Sequence, residues 1–216
     1  MELDVMDFEI LDRENYTFKQ LKTMYSPAEI EGIKSDYKKH WQKWKELNLT
    51  IVRKLPKEFA ITKPKIESWT NGWNLRNHFW SAYRSDNRQN ENACLAVLLN
   101  KKQYQIYLMF QHYKSDDRNG SIGAYNALLQ EIADWSRNID INDYYIWPQV
   151  EHELEDHLPL KDYLTDQKIQ VEFQTRLAGK TFQIGKILMK DNYSQIENVT
   201  SATLMELMPL YQQLVH

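Results

Sequence analysis

The stretch ACLAVLLNKKQYQIYLMFQHY, residues 93–113, decides the fold class. Its first part, residues 93–100, is apolar on both faces and predicts a central β-strand. Its second part alternates apolar with other side chains from 104 to 113, which predicts a second strand joined to the first by a short polar turn. Ser121 can then cap a helix over residues 121–137. This order of strand, turn, strand and helix predicts an α+β fold with an antiparallel sheet.

A similar order recurs, less regularly, near the end of the chain. Residues 168–177 alternate strictly, which predicts a strand with one buried apolar face and one polar face. The polar face carries four side chains that could line a polar ligand site: Gln170, Glu172, Gln174 and Arg176. A second strand is expected over 181–190, where the apolar phase slips at Gly185 as a β-bulge would cause. A helix over 201–215, kinked or divided by Pro209, completes this unit.

The N-terminal part reads mainly as helix. The sequence SPAE at residues 26–29 supplies a capping serine, a proline at the first helical position and a glutamate that can reach back to the cap. It opens an amphipathic helix over 27–47. Residues 49–55 are expected to form a short strand that a proline stops. A further helix over about 73–84 is indicated by the four-residue spacing of Leu75, Phe79 and Tyr83.

Composition is that of a soluble globular protein. Of the 216 residues, 42% are hydrophobic and 26% are charged, unlike the composition of disordered chains. We expect a single α+β domain over residues 1–216, with a sheet built from two hairpin–helix units and covered by helices. Its parts are an acidic N-terminal arm at 1–25, a helical, basic and aromatic segment at 26–90, and a sheet-and-helix core at 91–216.

Two features predict a cytoplasmic protein with no membrane partner. The N-terminus is acidic and lacks the basic and apolar regions of a signal peptide, and no apolar stretch approaches the roughly 20 residues that cross a bilayer. The single cysteine, Cys94, lies in an apolar run and excludes an intramolecular disulfide. We therefore expect a reducing compartment and a buried, unreactive thiol.

The motif search supplies no catalytic residue, no metal site and no cofactor. The six glycines match neither a P-loop nor a dinucleotide fingerprint. His152 and His157 are five residues apart, so they diverge by roughly 140° on a regular helix and cannot share one metal ion. No serine lies in a nucleophile elbow. The sequence leaves open whether the protein is an enzyme.

Charge is distributed unevenly along the chain. Residues 33–88 hold 13 basic and 5 acidic groups, a net of +8, although the whole chain has a net charge of −3. Lysines and tryptophans interleave over residues 38–45, as in surfaces that contact phosphates and stack bases. This predicts a nucleic-acid or polyanion-binding module. The candidate residues of this basic and aromatic segment are Lys38, Lys39, Lys43, Trp73, Arg76, Trp80, Arg84 and Arg88.

Two other classes of function remain open. The 13 tyrosines and 7 tryptophans could line the pocket of a small-molecule-binding protein or a metal-independent enzyme acting on an anionic or other polar ligand. Alternatively, the acidic C-terminal part could be the surface of a protein-interaction or immunity-type partner. Convergence of Trp73, Trp80, Arg76 and Arg84 on one concave surface would favour the pocket.

Overall fold

The structure, a computed structural model, describes residues 2–113, 115–150, 155, 157–190 and 194–214. These ranges contain the α-helices α1 Val5–Glu9, α2 Phe18–Met24, α3 Pro27–Lys54, α4 Ile122–Asn126, α5 Ile132–Ser136, α6 Leu160–Thr165, α7 Gln167–Arg176 and α8 Ile196–Gln213. Their strands are β1 Lys65–Ile66, β2 Thr70–Asn71, β3 Asn74–Leu75, β4 His78–Tyr83, β5 Ala93–Asn100, β6 Gln103–Phe110, β7 Tyr144–Pro148, β8 Leu158–Pro159 and β9 Phe182–Met189.

Seven strands form one antiparallel sheet in the order β1-β4-β5-β6-β9-β7-β8, and β2 pairs with β3 as a separate ribbon. This confirms the α+β class, the antiparallel sheet and the helical N-terminal segment. The hairpin of β5 and β6 is confirmed as well, with a turn at residues 101–102. None of the described helices is long and apolar enough to cross a membrane.

The sheet has two different surfaces, because successive side chains of a strand point to opposite faces. The first, which we term the helix-covered face, packs against α3 and α8 and includes Phe79, Leu95, Val97, Ile106 and Leu108. The second, which we term the cavity face, includes Trp80, Cys94, Ala96, Tyr107 and Met109. Almost every side chain of β5 is buried on one face or the other, and the strand is apolar up to its last residue, Asn100.

Helix α3 begins as predicted but is longer. Ser26 accepts a hydrogen bond from the backbone of Glu29, and the Glu29 carboxylate accepts one from the Ser26 backbone. The helix continues to Lys54, so the strand predicted over 49–55 is wrong. Leu47 and Ile51, four residues apart, are both fully buried and extend the apolar stripe of the helix. Spacing, rather than the β-branched residues of this stretch, decides its structure.

The helix predicted over 73–84 is also wrong. Residues 78–83 form strand β4, which pairs with β1 and β5. Phe79 and Tyr83 share a face in a strand as well as in a helix, because a separation of four residues fits both periods. Between them, Trp80 and Ala82 point to the cavity face. The segment 26–90 therefore contains strands as well as helices.

Residues 168–177, predicted as a strand, form helix α7 instead. The side chain of Asp166 accepts hydrogen bonds from the backbone N–H groups of Lys168 and Ile169, which caps the helix. Phe173 and Leu177 are buried at helical spacing, whereas Val171 is 58% exposed. The second hairpin–helix unit is therefore absent, and the predicted polar strand face does not form. On a helix, residues two apart point in nearly opposite directions, which separates Gln170 and Gln174 from Glu172 and Arg176.

Gly185 does not mark a bulge. The register of β9 against β6 and β7 runs through it without a break, with Tyr107 and Tyr145 as its cross-strand neighbours. A Cβ atom at this position would overlap the Ile106 carbonyl oxygen and lie 2.6 Å from the Tyr107 Cα. The apolar phase slips because both faces of β9 are buried.

Two further helical predictions need correction. Ser121 caps a helix as expected, but the span 121–137 is interrupted by a 3-10 turn between α4 and α5. Helix α8 begins at Ile196, earlier than predicted, and Pro209 lies inside it without dividing it. The acidic arm contains α1 and α2, whose segment buries Phe8, Leu11 and Leu21 in the main core.

Candidate functional site

A cavity of about 940 Å³ lies on the cavity face of the sheet. Side chains from β4, β5, β6 and β9 line it, and its rim is completed by the segment before α2, the loops around β2 and β3, and the residues that follow β6 and β7. Ligand pockets typically enclose about 300–1,000 Å³. The cavity is therefore large enough for a metabolite-sized molecule.

Aromatic rings form part of the cavity wall. The indole Nε1 of Trp80 donates a hydrogen bond to the hydroxyl of Tyr107 at 3.2 Å. The centroid of the Tyr107 ring lies 5.7 Å from that of Trp147. The Trp147 and His157 rings are nearly perpendicular, with their centroids 4.9 Å apart. Opposite Tyr107 on the neighbouring strand is Gly185, whose missing side chain allows the tyrosine to lie close against β9.

Four glutamine side chains belong to the polar lining: Gln105, Gln111, Gln149 and Gln183. Gln183 is only 1% exposed, and its Oε1 has no hydrogen-bond partner in the described part of the chain. Such a buried acceptor costs about 1–3 kcal/mol unless something donates to it.

The amide of Gln111 has a defined orientation. Its Oε1 accepts hydrogen bonds from Nη2 of Arg84, at 2.9 Å, and from Nη1 of Arg118. Because a guanidinium group can only donate, the atom that both arginines contact must be the amide oxygen. The amide nitrogen of Gln111 is thereby turned away from the two arginines and remains a donor.

His112 and Thr181 form a second ordered group near the rim. The Thr181 hydroxyl donates to Oε1 of Gln149 at 3.0 Å and lies 3.0 Å from Nε2 of His112. Since the single hydroxyl proton is used for Gln149, His112 Nε2 is the donor of that pair. Burial lowers the pKa of His112, which favours the neutral imidazole.

Positive charge is concentrated at the opposite end of the cavity. Arg13, Arg76 and Lys101 line this end together with the carboxylate of Glu67. Nη1 of Arg76 lies 2.8 Å from Glu67, whereas Arg13 forms no ion pair with any residue that the structure describes. Burial, and then the charge of Arg76, lower the pKa of His78 to about 4, so this histidine is neutral at pH 7.

Only two of the eight candidate residues from the basic and aromatic segment line the cavity, namely Arg76 and Trp80. Trp73 is 84% exposed and lies outside it. Arg84 is 3% exposed, behind the wall, where its Nε donates to the carbonyl oxygens of Glu91 and Ala93. Of the four residues whose convergence would favour a pocket, Arg76 and Trp80 line the cavity, and Arg84 contacts its lining through Gln111.

The lysines of helix α3 lie elsewhere. Lys38 and Lys39 are exposed, and Lys43 Nζ lies 2.8 Å from Asp4 and 2.6 Å from Asp7, both in the acidic arm. Of the neighbouring rings, Trp44 is fully buried and Trp41 is half-buried, with its Nε1 donating to the Glu67 carbonyl oxygen at 2.7 Å. The structure thus exposes Lys38 and Lys39 and pairs Lys43 with the acidic arm, whereas Nζ of Lys45 lies 5.7 Å from the centroid of the Trp41 ring.

Helix α7 contributes no side chain to the cavity wall, so Gln170, Glu172, Gln174 and Arg176 are not part of this site. Gln105, Gln111 and Gln149, which do line it, were missed. A signal exists in the sequence. Gln103, Gln105 and Gln111 occupy odd-numbered positions, as Tyr107 does, in and just after an otherwise apolar strand. Polar side chains at alternate positions of a buried strand point to a shared polar wall.

Arg88, the last of the candidates, forms hydrogen bonds with the C-terminal end of helix α8. Nη1 donates to the Tyr211 carbonyl oxygen at 2.7 Å and Nη2 to that of Leu214 at 2.5 Å, and the guanidinium lies 4.0 Å over the Tyr211 ring. Glu91 pairs with the same group. The position is structural, since the guanidinium donates to two backbone carbonyl oxygens at the C-terminal end of the helix.

We expect Arg88→Gln to lower the free energy of unfolding by about 1.5–3 kcal/mol, because hydrogen bonds from a charged donor would be lost. Urea denaturation followed by circular dichroism measures this. Arg88→Lys should recover only part of the loss, since an ammonium group cannot span both carbonyl oxygens. Equal stability of Arg88→Gln and the wild type would contradict the structural role of the Arg88 guanidinium group.

Metal and thiol chemistry find no support at the described positions. Among them, no group of three or more histidine, cysteine, aspartate or glutamate side chains is arranged to hold a metal ion. His152 and most of the acidic segment 151–156 lie outside the described residues. Cys94 is fully buried, and burial raises the pKa of its thiol, which disfavours the reactive thiolate.

A protein-family model matches the chain over residues 3–214. The chain belongs to that family. It is also similar to an uncharacterized protein of Haemophilus influenzae strain Rd, with 32% identity over 200 residues that cover 92% of this chain and 91% of the relative. The family match includes the whole sheet, helices α3 and α8, and the residues that line the cavity.

Proposed function

We propose that the protein binds a small polar molecule in the cavity on the cavity face of the sheet. The observation that carries this proposal is a set of buried polar atoms without hydrogen-bond partners among the described residues. They are Gln183 Oε1, Arg13 Nε and Arg76 Nε, and all three residues line the cavity. Ligand groups that accept from the arginines, or that donate to the glutamine, would recover the free energy that these atoms otherwise cost.

The aromatic and amide groups of the wall support the same function. Ligand sites commonly combine apolar or aromatic walls with a few placed polar groups, as Trp80, Tyr107 and the glutamines do here. The buried single thiol supports the further proposal that the protein works in the reducing cytoplasm. The polyanion and protein-partner hypotheses stay predictions; the pairing of Lys43 with Asp4 and Asp7 weakens the first.

A thermal-shift screen of the wild-type protein against nucleosides, nucleotides, amino acids and sugar phosphates tests the proposal. We expect at least one compound to raise Tm in a concentration-dependent way. Gln183→Leu should bind that compound about tenfold more weakly or worse, because the ligand donor would face an apolar group. Without ligand, the same variant should be as stable as the wild type or more stable, because it removes an unpaired buried acceptor.

Gln42→Leu is the matched control, since Gln42 is an exposed glutamine on helix α3. It should leave binding unchanged. Two results would contradict the proposal: no compound shifts Tm, or every compound that does binds Gln183→Leu as tightly as the wild type.

A further inference from the structure

We infer that the ligand of this cavity is a small anion whose carboxylate or phosphate group lies between Arg13 and Arg76. This inference rests on the proposed function and adds the charge class of the ligand and the position of its charged group. It assigns to these two arginines the role of a guanidinium pair that binds the oxyanion.

The charge of the cavity wall supports an anion. The charged side chains among its described lining are Arg13, Arg76, Lys101 and Glu67, which leaves an excess of positive charge. Lys101 is held at 2.8 Å by Asp12 outside the lining, and Glu67 satisfies only one nitrogen of Arg76. The two arginines and Glu67 therefore leave one positive charge uncompensated at this end.

The free hydrogen-bonding capacity of both arginines points to the same group. Nε of Arg13 and Nε of Arg76 are buried without a partner in the described part of the chain. A guanidinium group presents its N–H donors in a planar fork that matches the two oxygens of a carboxylate or phosphate. Neutral ligands satisfy such donors less well, because they lack the paired, negatively charged oxygens that match the guanidinium fork.

Backbone contacts bring the two arginines to one place. The N–H of Leu75 donates to the Tyr16 carbonyl oxygen at 2.8 Å, and Thr17 pairs with Asn74 in an antiparallel bridge. The N–H of Arg13 donates to the Tyr16 hydroxyl at 3.1 Å. Arg13 and Arg76 thus belong to two segments that are hydrogen-bonded to each other, and the pair depends on the fold rather than on proximity in sequence.

The remainder of the cavity defines the rest of the ligand. Beyond the arginines lie the Trp80 and Tyr107 rings and the amide of Gln105, which the strand register places at the level of Trp80. A body with a flat apolar surface and heteroatoms that both donate and accept would complement these groups. The favoured ligand class is therefore a heterocyclic or amide-bearing acid or phosphate monoester.

Matched pairs of an anion and its neutral analogue test the inference by isothermal titration calorimetry. The probes are AMP with adenosine, UMP with uridine, and indole-3-acetate with indole-3-acetamide, which separate phosphate from carboxylate. We expect at least one anion to bind about tenfold more tightly than its neutral partner. Arg13→Gln and Arg76→Gln should each weaken that anion about tenfold to hundredfold and change the neutral analogue little.

Arg137→Gln is the control, because Arg137 is an exposed arginine paired with Asp134 outside the cavity. It should bind like the wild type. Arg13→Gln is the cleaner cavity variant, since Arg13 forms no ion pair with the described residues, and circular dichroism should show an unchanged fold.

Three outcomes would overturn the inference. Equal binding of anion and neutral analogue in every pair that binds leaves the proposed function intact but removes the anion requirement. Unchanged anion binding in both arginine variants places the charged group elsewhere. Failure of all six probes, together with failure of the thermal-shift screen, removes the inference and the proposed function together.

Discussion

Gly185→Ala is expected to lower the free energy of unfolding by about 3 kcal/mol or more. The new Cβ would overlap the Ile106 carbonyl oxygen and lie 2.6 Å from Cα and 2.7 Å from Cβ of Tyr107. Two of these atoms belong to the backbone of β6, in the middle of the sheet, so a side-chain rotation cannot relieve the contact. Strands β6 and β9 would have to separate. Urea denaturation of both proteins, followed by circular dichroism, measures the loss.

Gly32→Ala is the matched control. Gly32 lies inside helix α3, and no atom lies within 4 Å of a Cβ placed there. Alanine should stabilise this helix position by about 0.5–1 kcal/mol, because it restricts the unfolded chain and favours helix. The same substitution thus has opposite expected signs at two glycines. A Gly185→Ala protein within about 0.5 kcal/mol of the wild type would mean that β6 and β9 are less closely packed than the structure shows.

The steric requirement for glycine at position 185 could not be predicted from the sequence. A phase slip of apolar residues is compatible with a bulge and with a strand that is buried on both sides, and the two differ only in what packs against the strand. The β5–β6 hairpin was predictable because its partners are adjacent in sequence and its turn is short. Strand β9 pairs with β6 and β7, which are distant in sequence, so its environment depends on long-range contacts.

Spacing explains the wrong assignments of secondary structure. A separation of four residues, as between Phe79 and Tyr83, fits a helix and a strand alike. For α7, strict alternation favoured a strand, but Asp166 at its start is a helix cap that could have been weighed against the alternation. Local capping and periodicity therefore compete, and the contacts of Phe173 with the core decide the result.

Part of the cavity lining was predictable from local sequence patterns. Trp80 and Arg76 were identified because they lie in one aromatic and basic segment. The glutamines in and just after β6 could have been found because they occupy alternate positions of an otherwise apolar stretch. Arg13 could not have been found. Its position near Arg76 depends on the pairing of residues 16–17 with residues 74–75, and no local sequence pattern predicts that pairing.

The second large effect is expected for Trp44→Ala, which should lower the free energy of unfolding by about 3–5 kcal/mol. Trp44 is fully buried, and its ring lies 6.3 Å from that of Phe79 and 6.1 Å from that of Tyr104. It therefore joins helix α3 to the helix-covered face of the sheet. Truncation would leave a cavity that the strands cannot close without moving. Thermal and urea denaturation measure the change.

Two other tryptophans in this basic and aromatic segment provide the scale for that result. Trp73 is 84% exposed, so Trp73→Ala should change stability by no more than about 0.5 kcal/mol. Trp41 is half-buried and donates one hydrogen bond to Glu67, so its removal should have an intermediate effect. A ring that stacks on bases must be exposed, and a ring that stabilises the core must not be. If Trp44→Ala were as stable as Trp73→Ala, helix α3 would not be anchored to the sheet by this ring, and its rings would again be candidates for a nucleic-acid surface.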